Sequence, residues 1–488
     1  MRSRTIRFRS ALAAVAVLLF AAMASAPAGA AGKGGPNKGS APGVTWMQGV
    51  DAPGTPSQYN RVGVLKIGNP HAKNVLVFVP GTSAGSAYIA PFAKTLVKRE
   101  PQWQVWSVER RENQLEDQSV ADQAKQGRAS PQQLYNYYLG WIKDSSINPH
   151  FQLIPNSQVE FGKGWGMAVE VGDLRNVIGQ AQRHARRVVL MGHSLGGSIT
   201  TAYATWDFGG EPGAKGLSGL VYDDGGSNPT PVSPAQAQQS LDALNQSSAS
   251  PWLSFGGIAA PFAGLFAEGG GLLSVIDPNG PSLGQASGLL PANIVPPVPV
   301  TNLAQFGYAA DTETSPASLF AFQAHLGHLA AAGDPRGWDQ ANEITPITRY
   351  AKMFSGWGFQ GTDGVAWYHP MRLTLDAGSV ADGNPNPAQD IMDVKATLGH
   401  SLPKSLRIYA FGAFGGQSIL DNATTLAQQS GIPSRQLTLV NRQGAYAHND
   451  PAGAYPRNAF LKNLVPFLNR IATQHHGHGK VKTKHRRR

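Results

Sequence analysis

The sequence predicts an α/β chain: a largely parallel sheet flanked by helices and interrupted by one long insertion before the last two strands. Three observations predict it. Short, continuous apolar runs rich in β-branched residues recur, as in strands buried on both faces. Stretches with apolar residues at helical spacing alternate with them, the rhythm of βα units. Between residues 229 and 400 that rhythm stops and Gly, Pro, Ala and Ser dominate.

Taken in order, the first strand is Val75–Val79, closed by Pro80-Gly81, and the second covers 105–108 (VWSV). A helix over 168–185 follows, with Val171, Leu174, Val177 and Ile178 on one face, and it leads to a third strand at 188–191. A helical stretch from Ile199 to Trp206 precedes the strand 220–222. After the insertion, a strand at 406–411, a helix near 420–430, a strand at 437–440 and a last helix at 457–471 complete the pattern. The core is expected over 44–228 and 401–473. Within the insertion, the mainly apolar stretch 252–276, with Phe262 and Phe266 one turn apart, is expected to form a lid or the wall of a substrate pocket.

The chain has 488 residues, no cysteine and a formal charge of +11. Disulfides, thiolate metal sites and a cysteine nucleophile are thereby excluded. The charge is concentrated at the ends, in Arg2, Arg4, Arg7 and Arg9 and in Lys480, Lys482, Lys484 and Arg486 to Arg488. The body is close to neutral, so no nucleic-acid face is expected. A basic start, the apolar run 11–22 and small residues up to Ala30 read as an export signal, residues 1–30, with cleavage after Ala28 or Ala30. A Gly/Pro-rich linker, 31–43, follows it. Secretion is therefore expected. The basic, His-containing tail 474–488 offers contact to an acidic cell-surface polymer.

The pattern G-x-S-x-G occurs three times, centred on Ser83, Ser194 and Ser282. Only Ser194 has a strand running into it and an uninterrupted helical stretch leaving it. Ser282 has no strand before it, and Pro91 breaks the helical pattern after Ser83. Gly192-His193-Ser194-Leu195-Gly196-Gly197 resembles the nucleophile elbow of α/β-hydrolases of the lipase and esterase type. The order of elements over 44–228 and 401–473 resembles the same superfamily.

That resemblance implies a serine nucleophile, Ser194, and a base in the loop after the last strand, which here is His448. His193, His369 and His400 are the other histidines weighed for that role. It implies an oxyanion hole from the amides of Leu195 and Thr82, with Ser83 the alternative second donor, since Pro80-Gly81-Thr82 stands where many relatives have His-Gly. Relatives usually take the acid from the turn after the next-to-last strand, but residues 412–417 contain none before Asp421. Some take it one strand earlier, where Asp223 and Asp224 stand. Asp224 aligns best, with Asp421 and Asp223 open. The implied function is ester hydrolysis through an acyl-enzyme on a small-molecule or lipid ester, with no cofactor and no metal. The same machinery could serve a peptidase or amidase, and a non-catalytic surface-binding protein could retain the elbow.

Overall fold

The apolar runs read from the sequence form six contiguous strands of one eight-stranded sheet. The structure, a computed structural model, describes residues 43–314 and 324–473. The expected export signal, nearly all of the linker and the basic tail lie outside the described residues. The first six strands are β1 (Val44–Gln48), β2 (Arg61–Gly68), β3 (Asn74–Val79), β4 (Trp103–Glu109), β5 (Arg187–His193) and β6 (Gly219–Asp223). A separate antiparallel hairpin, β7 (His328–Gly333) with β8 (Arg336–Asp339), lies in the insertion. The sheet resumes with β9 (Arg407–Gly412) and β10 (Leu437–Asn441), in the order β1-β2-β4-β3-β5-β6-β9-β10.

From β4 onward every pairing is parallel, whereas β2 runs antiparallel to both β1 and β4. Strands β3 to β6 are buried along their whole length. Side chains alternate across the sheet. Leu76 and Phe78 face a core with helices Ala90–Arg99 and Ala459–Ala472. Val75, Val77 and Val79 face helices Met167–His184, Leu195–Thr205 and Gln417–Gln429. This strand order, with helices on both faces and a helix leaving β5 at a serine, is the α/β-hydrolase fold.

Two readings need revision. Pro91 does not break a helix but starts one, in the first turn of Ala90–Arg99. A first-turn amide has no intrahelical acceptor, so proline costs nothing there. The insertion is also richer than its composition suggested. It holds seven α-helices and the hairpin among the described residues, and it is built into both faces. Phe306, Ile347 and Tyr350 join the first core, while Leu241, Leu373 and Met392 join the second. A third cluster joins its Leu265, Leu272, Trp367 and Tyr368 to Leu134, Tyr138 and Phe151 from the β4–β5 connection. The apolar stretch forms helix Phe262–Ile276, and Phe266 lines a cavity of about 80 Å³ that no expected site residue lines.

Candidate active site

Parallel register brings the chemistry together. His193 of β5 pairs with Asp223 of β6, and Asp223 pairs with Phe411 of β9. One residue further on, at the carboxyl ends of these strands, lie Ser194, Asp224 and Gly412. An open α/β sheet presents its binding crevice at that edge.

Ser194 is the N-cap of helix Leu195–Thr205 and has φ 55° and ψ −125°. A non-glycine residue in that region is strained by roughly 1–3 kcal/mol and persists only where its surroundings enforce it. The enforcement is visible. Its amide donates to Asp223 O at 3.2 Å and its carbonyl accepts from Gly197 N at 2.8 Å. The tightness of the turn demands glycine at 192, where a Cβ would lie 2.0 Å from Gly196 O. Ser83 and Asp224 also have positive φ, 49° and 44°, so three strained residues share this edge.

His448 lies in the loop after β10, as expected, and Nδ1 is 2.6 Å from Asp224 Oδ2. The other carboxylate oxygen, Oδ1, accepts the amides of Ala413 at 2.7 Å and Gly415 at 2.8 Å. Burial pushes the Asp224 carboxyl up, but the hydrogen bond and charge of His448 and the Gly415 amide outweigh it and hold it below the usual carboxylate range. An ionised Asp224 accepts, so Nδ1 is the ring nitrogen that donates to it and Nε2 is turned away from the acid. Among the described residues, Ser194 Oγ and His448 Nε2 are not hydrogen-bonded to each other in this conformation. Such contacts often tighten only when substrate is present.

The other acids weighed lie elsewhere. Asp421 sits exposed on helix Gln417–Gln429 and accepts from Gln417 Nε2. Asp223 is fully buried, and neither carboxylate oxygen has a hydrogen-bond partner among the described residues. Burial, then the neighbouring Asp224, raises its carboxyl well above the usual range. An anion there would have no donor among the described residues to hold it.

The histidines divide similarly. His193 Nε2 donates to His448 O at 3.1 Å, and its ring stacks on Tyr88 with centroids 5.1 Å apart. Burial, then the charge of His448, lowers it to about 3. A neutral His193 thus braces the His448 backbone. Asn449, the next residue, accepts from Tyr88 OH at 2.8 Å and donates to Tyr350 OH at 2.9 Å. Asp450 holds the loop from the other side, accepting Ala447 N at 2.8 Å, Thr345 Oγ1 at 2.8 Å and His325 Nδ1 at 2.5 Å. His369 is buried and is bonded to the Ser83 amide. His400 is exposed.

The Leu195 amide opens its helix, and the Thr82 amide follows β3. Neither has an acceptor among the described residues. The Ser83 amide donates to His369 Nδ1 at 3.3 Å, which leaves Thr82 as the free donor of the pair. Ser282 caps a short helix by accepting Gln285 N at 3.0 Å, so its motif match is structural.

Sequence reasoning missed Arg110. Its guanidinium lies 1% exposed under the Thr82 loop and donates to Pro80 O, Gly81 O and Ala84 O at 3.0 to 3.1 Å, with Nε on Glu112 at 2.7 Å. The available signal was Glu109-Arg110-Arg111-Glu112, four charged residues at the end of a mainly apolar strand, all of them buried. Among the described residues, no group of three or more His, Asp or Glu is placed to hold a metal ion.

No protein-family model matches the sequence, and no curated protein matches it. Solved structures similar to the chain include a protein assigned as a lipase from Sulfolobus solfataricus, with 12% identity over 88% of this chain and 93% of that one, TM-score 0.46. A carboxylesterase of the ammonia-oxidizing thaumarchaeon Nitrososphaera gargenis is similar over 88% of this chain and 99% of that one, with 11% identity and TM-score 0.37. A thermophilic esterase from Thermogutta terrifontis covers the same shares, with 12% identity and TM-score 0.37. These likenesses are distant, and the fold rests here on strand order and the elbow.

Proposed function

We propose that the chain is an exported serine hydrolase that cleaves carboxylic esters, with Ser194 as nucleophile, His448 as base and Asp224 as acid. The observation that carries this reading is the 2.6 Å pair of His448 Nδ1 and Asp224 Oδ2 at the strand edge that also bears the strained Ser194.

In this mechanism Ser194 Oγ attacks the ester carbonyl while His448 Nε2 takes its proton. Asp224, fixed by two amides, stabilises the imidazolium that forms. The Leu195 and Thr82 amides bind the oxyanion, and the N-terminus of helix Leu195–Thr205 adds its partial positive charge. The tetrahedral intermediate collapses, the bond to the leaving alkoxide breaks, and His448 returns the proton to that oxygen. Water, deprotonated by His448, then attacks the acyl-enzyme; the acid leaves and Ser194 regains its proton. All groups come from the chain, so the cycle needs no cofactor.

The test is labelling of the purified protein with a fluorophosphonate probe, beside Ser194→Ala and His448→Ala. Labelling of the wild type that disappears in both variants supports the reading. A folded wild type that takes no label overturns it. Export is tested separately, by sequencing the N-terminus of protein recovered from the culture medium for a start at residue 29 or 31.

A further inference from the structure

We infer that Arg110 and His369 are the positioning residues that select and aim the second oxyanion donor, and this rests on the serine-hydrolase reading above. The loop 80–84 must present one N–H to the space in front of Ser194. A loop peptide can rotate either way, so something must hold its carbonyls on the opposite side. Arg110 does this from beneath. Nη1 takes Pro80 O at 3.0 Å, and Nη2 takes Gly81 O at 3.0 Å and Ala84 O at 3.1 Å. The Gly81 carbonyl belongs to the same peptide as the Thr82 amide. In a planar trans peptide the two point in opposite directions, so fixing Gly81 O toward Arg110 turns Thr82 N–H away from it.

The loop also approaches the nucleophile closely, since a Cβ on Gly81 would lie 2.9 Å from Ser194 Cβ.

His369 performs the complementary task from the insertion. Its Nδ1 accepts the Ser83 amide at 3.3 Å, and its Nε2 is 3.1 Å from Thr374 Oγ1. With Nδ1 accepting, Nε2 carries the proton and donates to the threonine. Burial and then the charge of Arg110 hold the ring well below its ordinary titration range, so it stays neutral. The Ser83 N–H is therefore occupied and the Thr82 N–H is left for the oxyanion. Ala366 N donates to Ser83 O at 3.0 Å, so both polar groups of the Ser83 backbone are held by the insertion.

Glu112 anchors Nε at 2.7 Å, so the guanidinium cannot rotate. Four of its five N–H groups have named partners. A lysine keeps the charge but lacks the planar fork that holds three carbonyls at once.

The experiment compares wild type, Arg110→Lys, His369→Gln and His369→Leu on p-nitrophenyl butyrate, and measures inhibition by a trifluoromethyl ketone, whose hemiketal oxyanion occupies the same hole. Arg110→Lys should lower kcat about 10²-fold, the scale of losing one oxyanion donor, with KM within about threefold of wild type. Ketone affinity should fall in step with kcat/KM. His369→Leu should fall about tenfold, and His369→Gln, whose Oε1 can accept from Ser83, should retain more rate than the leucine variant.

Hydrogen exchange over residues 80–85 supplies a readout independent of ester cleavage. Arg110→Lys should exchange at least tenfold faster at the Ser83 amide, the one in this loop with a hydrogen-bond acceptor among the described residues, while the sheet stays protected. Unchanged ketone affinity, or unchanged exchange in a folded Arg110→Lys, overturns the assignment. Failure of the underlying reading is separable, because wild type would then take no fluorophosphonate label whatever the variants do.

Discussion

Asp224 Oδ1 accepts the amide of Gly415 at 2.8 Å, so the carboxylate leaving β6 is fixed by the turn that follows β9. That turn contains no acid of its own. One strand supplies the charge and the neighbouring turn supplies the hydrogen bonds that orient it. The two strands are adjacent and parallel, so an acid at the end of either can reach the same histidine.

Asp224→Asn should lower kcat on an activated ester by roughly 10³–10⁴-fold, because a neutral amide neither stabilises the imidazolium nor enforces the tautomer. Asp421→Asn, on an exposed helix face, should leave kcat within about twofold. Initial rates of p-nitrophenyl acetate hydrolysis decide it; an Asp224→Asn enzyme at wild-type rate would remove Asp224 from the site.

Gly81→Ala tests the close approach of the loop to the nucleophile. The new methyl would stand 2.9 Å from Ser194 Cβ and 3.2 Å from His193 O, and the elbow backbone cannot yield cheaply. Overpacking of this kind costs about 1–3 kcal/mol. The expected outcome is a Tm lower by a few degrees and fluorophosphonate labelling slowed at least tenfold, read from time courses. Labelling at the wild-type rate would mean the loop has slack.

Those two predictions mark how far the sequence could be read. The places of Ser194 and His448 at the strand edge were legible because each depends on local context, a strand running into a tight turn or a loop directly after the last strand. The acid stayed open among Asp224, Asp223 and Asp421, since the choice depends on amides 189 and 191 residues further along the chain. Arg110 and His369 were illegible for the same reason, as His369 meets Ser83 across 286 residues. The strands β1 and β2 were also missed. β1 is short, and in it only Val44 is fully buried while Thr45 and Gln48 are exposed, which blurs the apolar pattern that marks β3 and β5.

Glu170 carries a pH prediction. It is buried, its Oε1 has no hydrogen-bond partner among the described residues, and burial lifts it to about 8 against the pull of the Arg110 charge. Unfolded, a glutamate titrates near ~4.3. Between those values the folded state keeps a proton the unfolded state has released, so stability falls as pH rises through the interval. Glu170→Gln, neutral throughout, should be more stable than wild type by a margin that widens by at least ~1 kcal/mol between pH 5 and pH 9. Urea unfolding midpoints at both pH values measure it; an equal gap at both would show that Glu170 is not the titrating group.

His325 behaves oppositely. Its hydrogen bond to the Asp450 carboxylate raises it above its ordinary value despite partial burial. A raised histidine contributes stability that is fully present below its unfolded value of ~6.5 and is lost as pH rises through the folded one. His325→Gln should therefore lower Tm most at pH 5.5, with the deficit shrinking toward pH 9. A deficit independent of pH would assign the contact to a neutral hydrogen bond.

The long insertion between β6 and β9 also sets an order of events during synthesis. Asp224 and His448 are 224 residues apart, and the pairing of Ser83 with His369 spans 286. Contacts so distant along the chain close late, since a large loop must lose its freedom before any of them forms. A growing chain that has only just emerged past the elbow carries a serine with no base, no acid partner and an unanchored oxyanion loop. On the proposed mechanism, reactivity arrives only with the last tenth of the polypeptide, and a truncated product is chemically silent toward the esters of the cell that made it.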